Sequence, residues 1–253
     1  MREGWRNIRL LIEYDGSDFW GFQVQPGGRT VQGVLQAALG RLTGEPVKVI
    51  GAGRTDSRVH ALGQVVNFHT GCSIPPERYA PALNRLLPAD LRVRESGEVS
   101  PEFHARYSAR SKTYRYLVYR RREGAVLQRN YALVLDGRLE VEAMREAARC
   151  LTGRQSFKSF CASNSGVRNY VRTVREFLVE EQGDWLRFEV TADGFLYHMV
   201  RNMVGTLLEV GTGRRRPEEM GEIIMSQDRA RAGATAPAQG LYLVRIEYPE
   251  AFS

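Results

Sequence analysis

Apolar residues recur at two different periods along this chain. IRLLIEY, residues 8–14, is dense in aliphatic side chains and runs into Asp15-Gly16, which predicts a strand ending near Tyr14. From 31 to 42 the period lengthens. Val31, Val34, Leu35, Ala38, Leu39 and Leu42 lie three or four residues apart, so a helix is expected, with Thr30 at its N-cap. VKVIGAG (47–53) and GQVVNFH (63–69) predict two strands with a polar loop pinned between them. Pro75-Pro76 opens a second helical pattern through Tyr79, Leu83, Leu86 and Leu87, closed by Pro88, and LRVRESGEV (91–99) returns to strand. The first half therefore reads β-α-β-β-α-β.

The second half repeats this theme. TYRYLVYRR (113–121) is rich in aromatic and β-branched residues and predicts a long strand bearing function on one face, broken by 123–130. Helical spacing returns at 139–151, and strands are expected at 172–181 and 185–192 around a Gln-Gly-Asp turn. LYHMVRNMVGTLLEVG (196–211) places Met199, Val200, Met203, Val204, Leu207 and Leu208 on one helical stripe, and His198, Arg201, Asn202 and Gly205 on the other face. LYLVRIEY (241–248) supplies a last strand. The expected class is α+β: two ferredoxin-like, RRM-like β-α units sharing a wide, mostly antiparallel central sheet. The expected domains are 1–105, carrying the polar loop, and 106–253, with the active-site cleft between them.

Composition narrows the function. Thirty-six Lys and Arg against 29 Asp and Glu give +7, and most of the cations are arginines, which grip phosphate in two-pronged fashion and stack on bases. A nucleic-acid partner fits this bias, although a solvated surface gives it too. Three cysteines, Cys72, Cys150 and Cys161, lie far apart without a C-x-x-C pair, and the four histidines are equally scattered, so neither a disulfide framework nor a metal site is expected. MREGWRNIRLLIEYDG has no apolar run long enough for a signal peptide or membrane span, so the protein is expected in the cytoplasm.

The candidate chemistry sits in GAGRTDSRVH (51–60), where Asp56 lies between Arg54 and Arg58. A carboxylate at the end of a strand reads, on its own, as a turn cap. The functional reading is a nucleophile or base, with Arg54 and Arg58 projecting to its side if the segment is extended. The chain has no phosphate-cradling glycine loop, no G-x-S-x-G elbow and no second carboxylate to pair with Asp56, so neither a dinucleotide site nor a hydrolytic pattern is expected. FHARYSARSKTYRY (103–116) interleaves His104, Arg106, Arg110, Lys112 and Arg115 with Phe103, Tyr107, Tyr114 and Tyr116. Cations for phosphate and flat rings for unpaired bases are what RNA recognition needs, and a strand with core aromatics and a basic outer face gives the same pattern.

These motifs in order, GRTD-S-R-VHALGQVVNF, EFHARYSA, KTYRY, YHMVRNMVGTLLEVG and APAQGLYL, resemble the TruA-type tRNA pseudouridine synthases, and the likeness spans almost the whole chain. The resemblance implies isomerisation of uridine to pseudouridine at tRNA positions 38, 39 and 40 of the anticodon stem-loop, by a homodimer that needs no cofactor. It implies that Asp56 is the catalytic aspartate, Tyr114 the ring packed on the flipped uracil and Arg201 the arginine paired with the aspartate. Arg54, Arg58 and His60 would contact substrate, Arg54 by helping to displace the base. Phe103, His104, Arg106, Tyr107, Asn164 and Arg168 would touch RNA. The family usually has glycine where this chain has Arg58, which implies either backbone strain there or an added phosphate contact. Two rivals stand beside this reading: a non-catalytic RNA-binding protein of the same fold, and Mg²⁺-dependent phosphoryl transfer through an aspartyl intermediate.

Overall fold

The computed structural model describes residues 4–121, 123, 125–163 and 165–252. They fall into two compact units, one formed by 1–110 with 242–253 and the other by 111–241. The expected division at 105 kept the C-terminal strand with the second half. In the structure residues 242–253 cluster with the first unit, because the last strand pairs alongside His60 and Ala61.

In chain order the first unit begins with β1 (Arg6–Tyr14), α1 (Val31–Thr43), β2 (Ile50–Gly51), β3 (His60–Thr70), α2 (Tyr79–Leu83) and β4 (Leu91–Val99). The second contains β5 (Ser111–Tyr119), β6 (Leu133–Val134), α3 (Val141–Arg149), β7 (Gly153–Ser156), β8 (Val171–Gln182), β9 (Trp185–Ala192), α4 (Met199–Gly211) and α5 (Glu219–Ser226). β10 (Leu241–Glu247) follows. Among the described residues no helix is long and apolar enough to cross a membrane.

In the first unit the antiparallel strands lie in the order β4-β1-β3-β2, which is the split β-α-β order of a ferredoxin-like unit, and β10 pairs parallel to β3. Alternation along β1 puts Ile8, Leu10 and Ile12 wholly out of solvent on one face. α1 starts as its sequence requires: the Thr30 hydroxyl accepts the Gly33 N–H at 3.3 Å, and Leu35 and Leu39 carry the buried stripe. In the second unit β5, β9, β8 and β7 form an antiparallel run, with β6 parallel to β5. The class is α+β with mostly antiparallel strands, as expected.

Several boundaries differ from the sequence pattern, and three of them have a clear local cause. The strand expected at 47–53 shrinks to Ile50–Gly51, because side chains from α1 take over its backbone: Gln36 Oε1 accepts from Val49 N at 3.0 Å and Gln32 Nε2 donates to Val49 O at 2.9 Å. α2 stops at Leu83, where Asn84 turns aside to bond both backbone groups of Val93 at 2.8 Å. α4 starts at Met199, since His198 before it is left-handed (φ 61°). The face of α4 opposite its apolar stripe is also covered, with Asn202 and Gly205 both buried.

Candidate active site

The Asp56 loop is built into the first unit by contacts with β1, β3 and residues 15–22. Thr55, next to the acid, is buried and shares a 2.7 Å hydrogen bond with the Tyr14 hydroxyl. Burial pushes the Tyr14 phenol up to about 12, more than its bonds to Thr55 and Gln64 pull it down, so it stays a neutral partner at any working pH. Gln64, wholly buried on β3, donates to Gly53 O at 2.7 Å. On the other side Phe22 N donates to Thr55 O at 3.0 Å, Ser57 Oγ to Phe19 O at 3.2 Å and Arg58 N to Phe19 O at 3.3 Å. Gly21 (φ 88°) permits this approach, because a Cβ there would fall 2.7 Å from Thr55 O. The threonine of R-T-D thus anchors the loop, while Asp56 itself is half-buried and Arg54 and Arg58 are exposed.

The segment is not extended through the acid. Val59 N donates to Asp56 O at 3.2 Å, closing a turn whose third residue, Arg58, has φ 65°. Arg58 therefore does not project as an i+2 neighbour in a strand would, and it occupies the left-handed backbone that glycine adopts most easily. The residue is nevertheless exposed to solvent.

His60 takes a different place from the one expected. It is only 2 % exposed, its Nδ1 accepts the Gly16 N–H at 3.0 Å and its ring stacks on Tyr242 at 4.7 Å. Asp15 Oδ1 also approaches this nitrogen at 3.2 Å. These contacts make His60 a clamp between the loop's end and β10, in place of a substrate contact.

Phe103 also belongs to the core. It is 2 % exposed and packs with Ala52, Val65 and Ala105, with the rings of Tyr248 and Phe252 at 5.0 and 5.8 Å. The residues after it do face outward. Asn7 holds Phe103 O and Asn67 holds Ala105 N, both at 2.9 Å, and this fixed backbone presents His104, Arg106 and Tyr107 together. The His104 ring stacks on Tyr107 at 4.3 Å, Arg106 reaches over the same tyrosine at 5.6 Å, and Tyr107 is 75 % exposed. Arg168 is exposed. Asn164 lies outside the described residues.

In the second unit Tyr114 and Tyr116 are buried on one face of β5. The Tyr114 ring meets Phe195 edge-on at 4.9 Å. Burial raises the Tyr116 phenol well above its usual range despite the opposing charge of Arg201, and the Tyr116 hydroxyl donates to Pro237 O at 2.8 Å, next to the residue that Arg201 holds. α4 holds Arg201 by its own backbone and side chain: Arg201 Nε donates to Ala236 O at 2.7 Å, and Ala236 N donates to Arg201 O at 3.1 Å. Gly205, one turn on, permits this docking, since a Cβ there would fall 1.8 Å from Ala234 O.

Sequence reasoning missed Asn202 as a builder of this site. It is wholly buried, donates to Phe160 O at 2.7 Å and accepts from Arg229 and Thr235 at 3.0 and 2.7 Å, tying α4 to the segments on both sides. A polar residue amid an apolar helix was the available signal.

Comparison with known proteins identifies the family. A family described as tRNA pseudouridine synthase matches residues 10–108 and 147–249. The tRNA pseudouridine synthase A of Syntrophomonas wolfei is 51 % identical over 243 residues, covering 96 % of this chain and 98 % of that protein. That of Moorella thermoacetica is 50 % identical, covering 95 % and 99 %, and that of Acetivibrio thermocellus 47 %, covering 96 % and 100 %. With the family pattern spanning both units and relatives matched nearly end to end, the chain belongs to the tRNA pseudouridine synthase family.

Proposed function

We propose that this chain converts uridine to pseudouridine at positions 38, 39 and 40 of the tRNA anticodon stem-loop, in the cytoplasm and as a homodimer, with Asp56 as the catalytic carboxylate. The observation that carries the reading is the build of the Asp56 loop: a half-buried acid between two exposed arginines, on a turn fixed by Tyr14, Gln64, Phe19 and Phe22. A fixed, partly shielded carboxylate suits covalent or base catalysis, because little reorganisation is needed when the substrate arrives.

The reaction balances without a co-reactant. The N1–C1′ bond of uridine breaks, the uracil turns, C5 bonds to C1′, C5 loses its proton and N1 gains one. Attack of the carboxylate at C1′, its attack at C6, or its removal of a ribose proton all use Asp56 in this role. Tyr114 stacks on the extruded uracil and Arg201 pairs with the aspartate, while Arg54 helps displace the base. These three roles rest on the family resemblance. Extruding a paired base costs a few kcal/mol, which stacking of roughly 1–3 kcal/mol together with phosphate contacts offsets. The Tyr107 platform with His104 and Arg106 offers rings and charge for RNA, as does Arg168.

The test is to incubate unmodified tRNA with the purified protein and map pseudouridine by chemical probing. Modification at 38, 39 or 40 is expected. RNA binding with no new pseudouridine would favour the non-catalytic alternative.

A further inference from the structure

Trp20 is 55 % exposed, and it is no stray surface residue. Its neighbours on both sides bind the Asp56 loop through their backbones: Phe19 O accepts from Ser57 and Arg58, and Phe22 N donates to Thr55 O. Trp20 N itself donates to Arg29 O at 2.8 Å, and the Gln25 side chain holds its carbonyl. The ring lies against Gly28, where a Cβ would fall 2.4 Å from it, so only glycine leaves the space it occupies. Arg29, next in line, is fixed by a two-pronged bond to Asp90 at 2.7 and 2.8 Å and by its place over the Phe19 ring at 4.0 Å. The surrounding exposed residues Gln23, Val24 and Gln25 carry no charge.

A large ring packed on Gly28, on a fixed backbone, still leaves half of its apolar surface exposed to water. Its setting fits a flat partner. Indole offers a π-face to any unstacked base, glutamine amides match base edges, and the exposed cations for phosphate, Arg54 and Arg58, lie on the loop that Trp20's segment braces. We propose that Trp20 is a stacking platform for an unpaired base of the RNA substrate, adjoining the Asp56 loop. This rests on the proposed function and adds a substrate contact to it.

The chain has three tryptophans, Trp5, Trp20 and Trp185, so a Trp5→Phe/Trp185→Phe protein reports on Trp20 alone. On titration with an unmodified anticodon stem-loop, Trp20 emission should be quenched and its access to acrylamide reduced. Trp20→Ala in the otherwise unaltered full chain should weaken RNA affinity by about 5- to 150-fold, the range that a stack of roughly 1–3 kcal/mol converts to, with the salt slope unchanged because no phosphate contact is lost. Trp20→Phe and Trp20→Tyr should recover most of that affinity, which also controls for folding. Unaltered Trp20 emission at saturating RNA, or a Trp20→Ala protein that binds as tightly as the parent, overturns the inference. So does emission that changes with protein concentration alone, because a second copy of the chain would then cover the ring. If the parent protein makes no pseudouridine, the functional reading fails; if only the Trp20 results fail, that reading stands.

Discussion

Arg58 is one of three non-glycine residues with positive φ among those described, and it sits in the proposed catalytic turn. An L-residue in the left-handed region costs roughly 1–2 kcal/mol, and replacing it with glycine recovers this, less roughly 0.5–1 kcal/mol for glycine's greater freedom when unfolded. Both hydrogen bonds that define the local backbone, Arg58 N to Phe19 O and Val59 N to Asp56 O, survive the change. Arg58→Gly should therefore stabilise the protein by about 0.5–1 kcal/mol, or raise Tm by roughly 2 °C for a domain of this size. Arg58→Ala is the informative control, since it removes the guanidinium and keeps the Cβ. Thermal melts of the three proteins should place glycine above alanine, and alanine close to arginine. A salt titration of RNA binding then isolates the charge: a phosphate contact makes both variants lose about one unit of log–log slope. Arg58→Gly melting no higher than Arg58→Ala would refute the strain argument. Unchanged slopes in both would remove the phosphate contact.

Other outcomes follow from the same geometry. Tyr114→Phe should keep the stack yet turn over more slowly if the hydroxyl handles a proton, and Tyr114→Leu should lose more; parental rates in both would take Tyr114 out of the reaction. Gly205→Ala must displace the chain at Ala234, whose carbonyl lies 1.8 Å from the new Cβ, so a loss of at least about 2 kcal/mol is expected in denaturant unfolding. Stability should also fall with rising pH above about 10, since Tyr14 has its phenol raised to about 12 and burial raises Tyr116 and Tyr248 further. The unfolded chain ionises these groups first, so their contribution is complete below the unfolded value and is lost as pH climbs through the folded ones; Tyr14→Phe should soften that decline in unfolding measured against pH.

The elements with clean periodicity were legible from the sequence, and so was the placing of Asp56 on a loop before β3. What misled was local competition for backbone groups. Val49 looks like a strand residue, yet Gln32 and Gln36 on α1 take the hydrogen bonds a neighbouring strand would have made with it. Phe103 stood in a run of cations and rings that pointed to RNA, but its alternation with Ala105 turns it into the core and leaves His104, Arg106 and Tyr107 outside. The family resemblance implied a substrate contact for His60; its ring stacks instead on Tyr242, 182 positions away, which no local pattern reveals. Gly205 was legible only as a glycine on the face opposite the apolar stripe, and the segment that packs against it, Ala234–Ala236, was not legible.

Everything turns on Asp56 as the group that does chemistry rather than one that caps a turn. The most direct measurement compares Asp56→Asn with the parent protein on one unmodified tRNA, mapping pseudouridine at saturation and measuring tRNA affinity in parallel. The amide nearly matches the acid in shape, and affinity comes mainly from phosphate contacts, so turnover should vanish while affinity stays within about tenfold. Pseudouridine formed by Asp56→Asn at the parental rate would contradict the account.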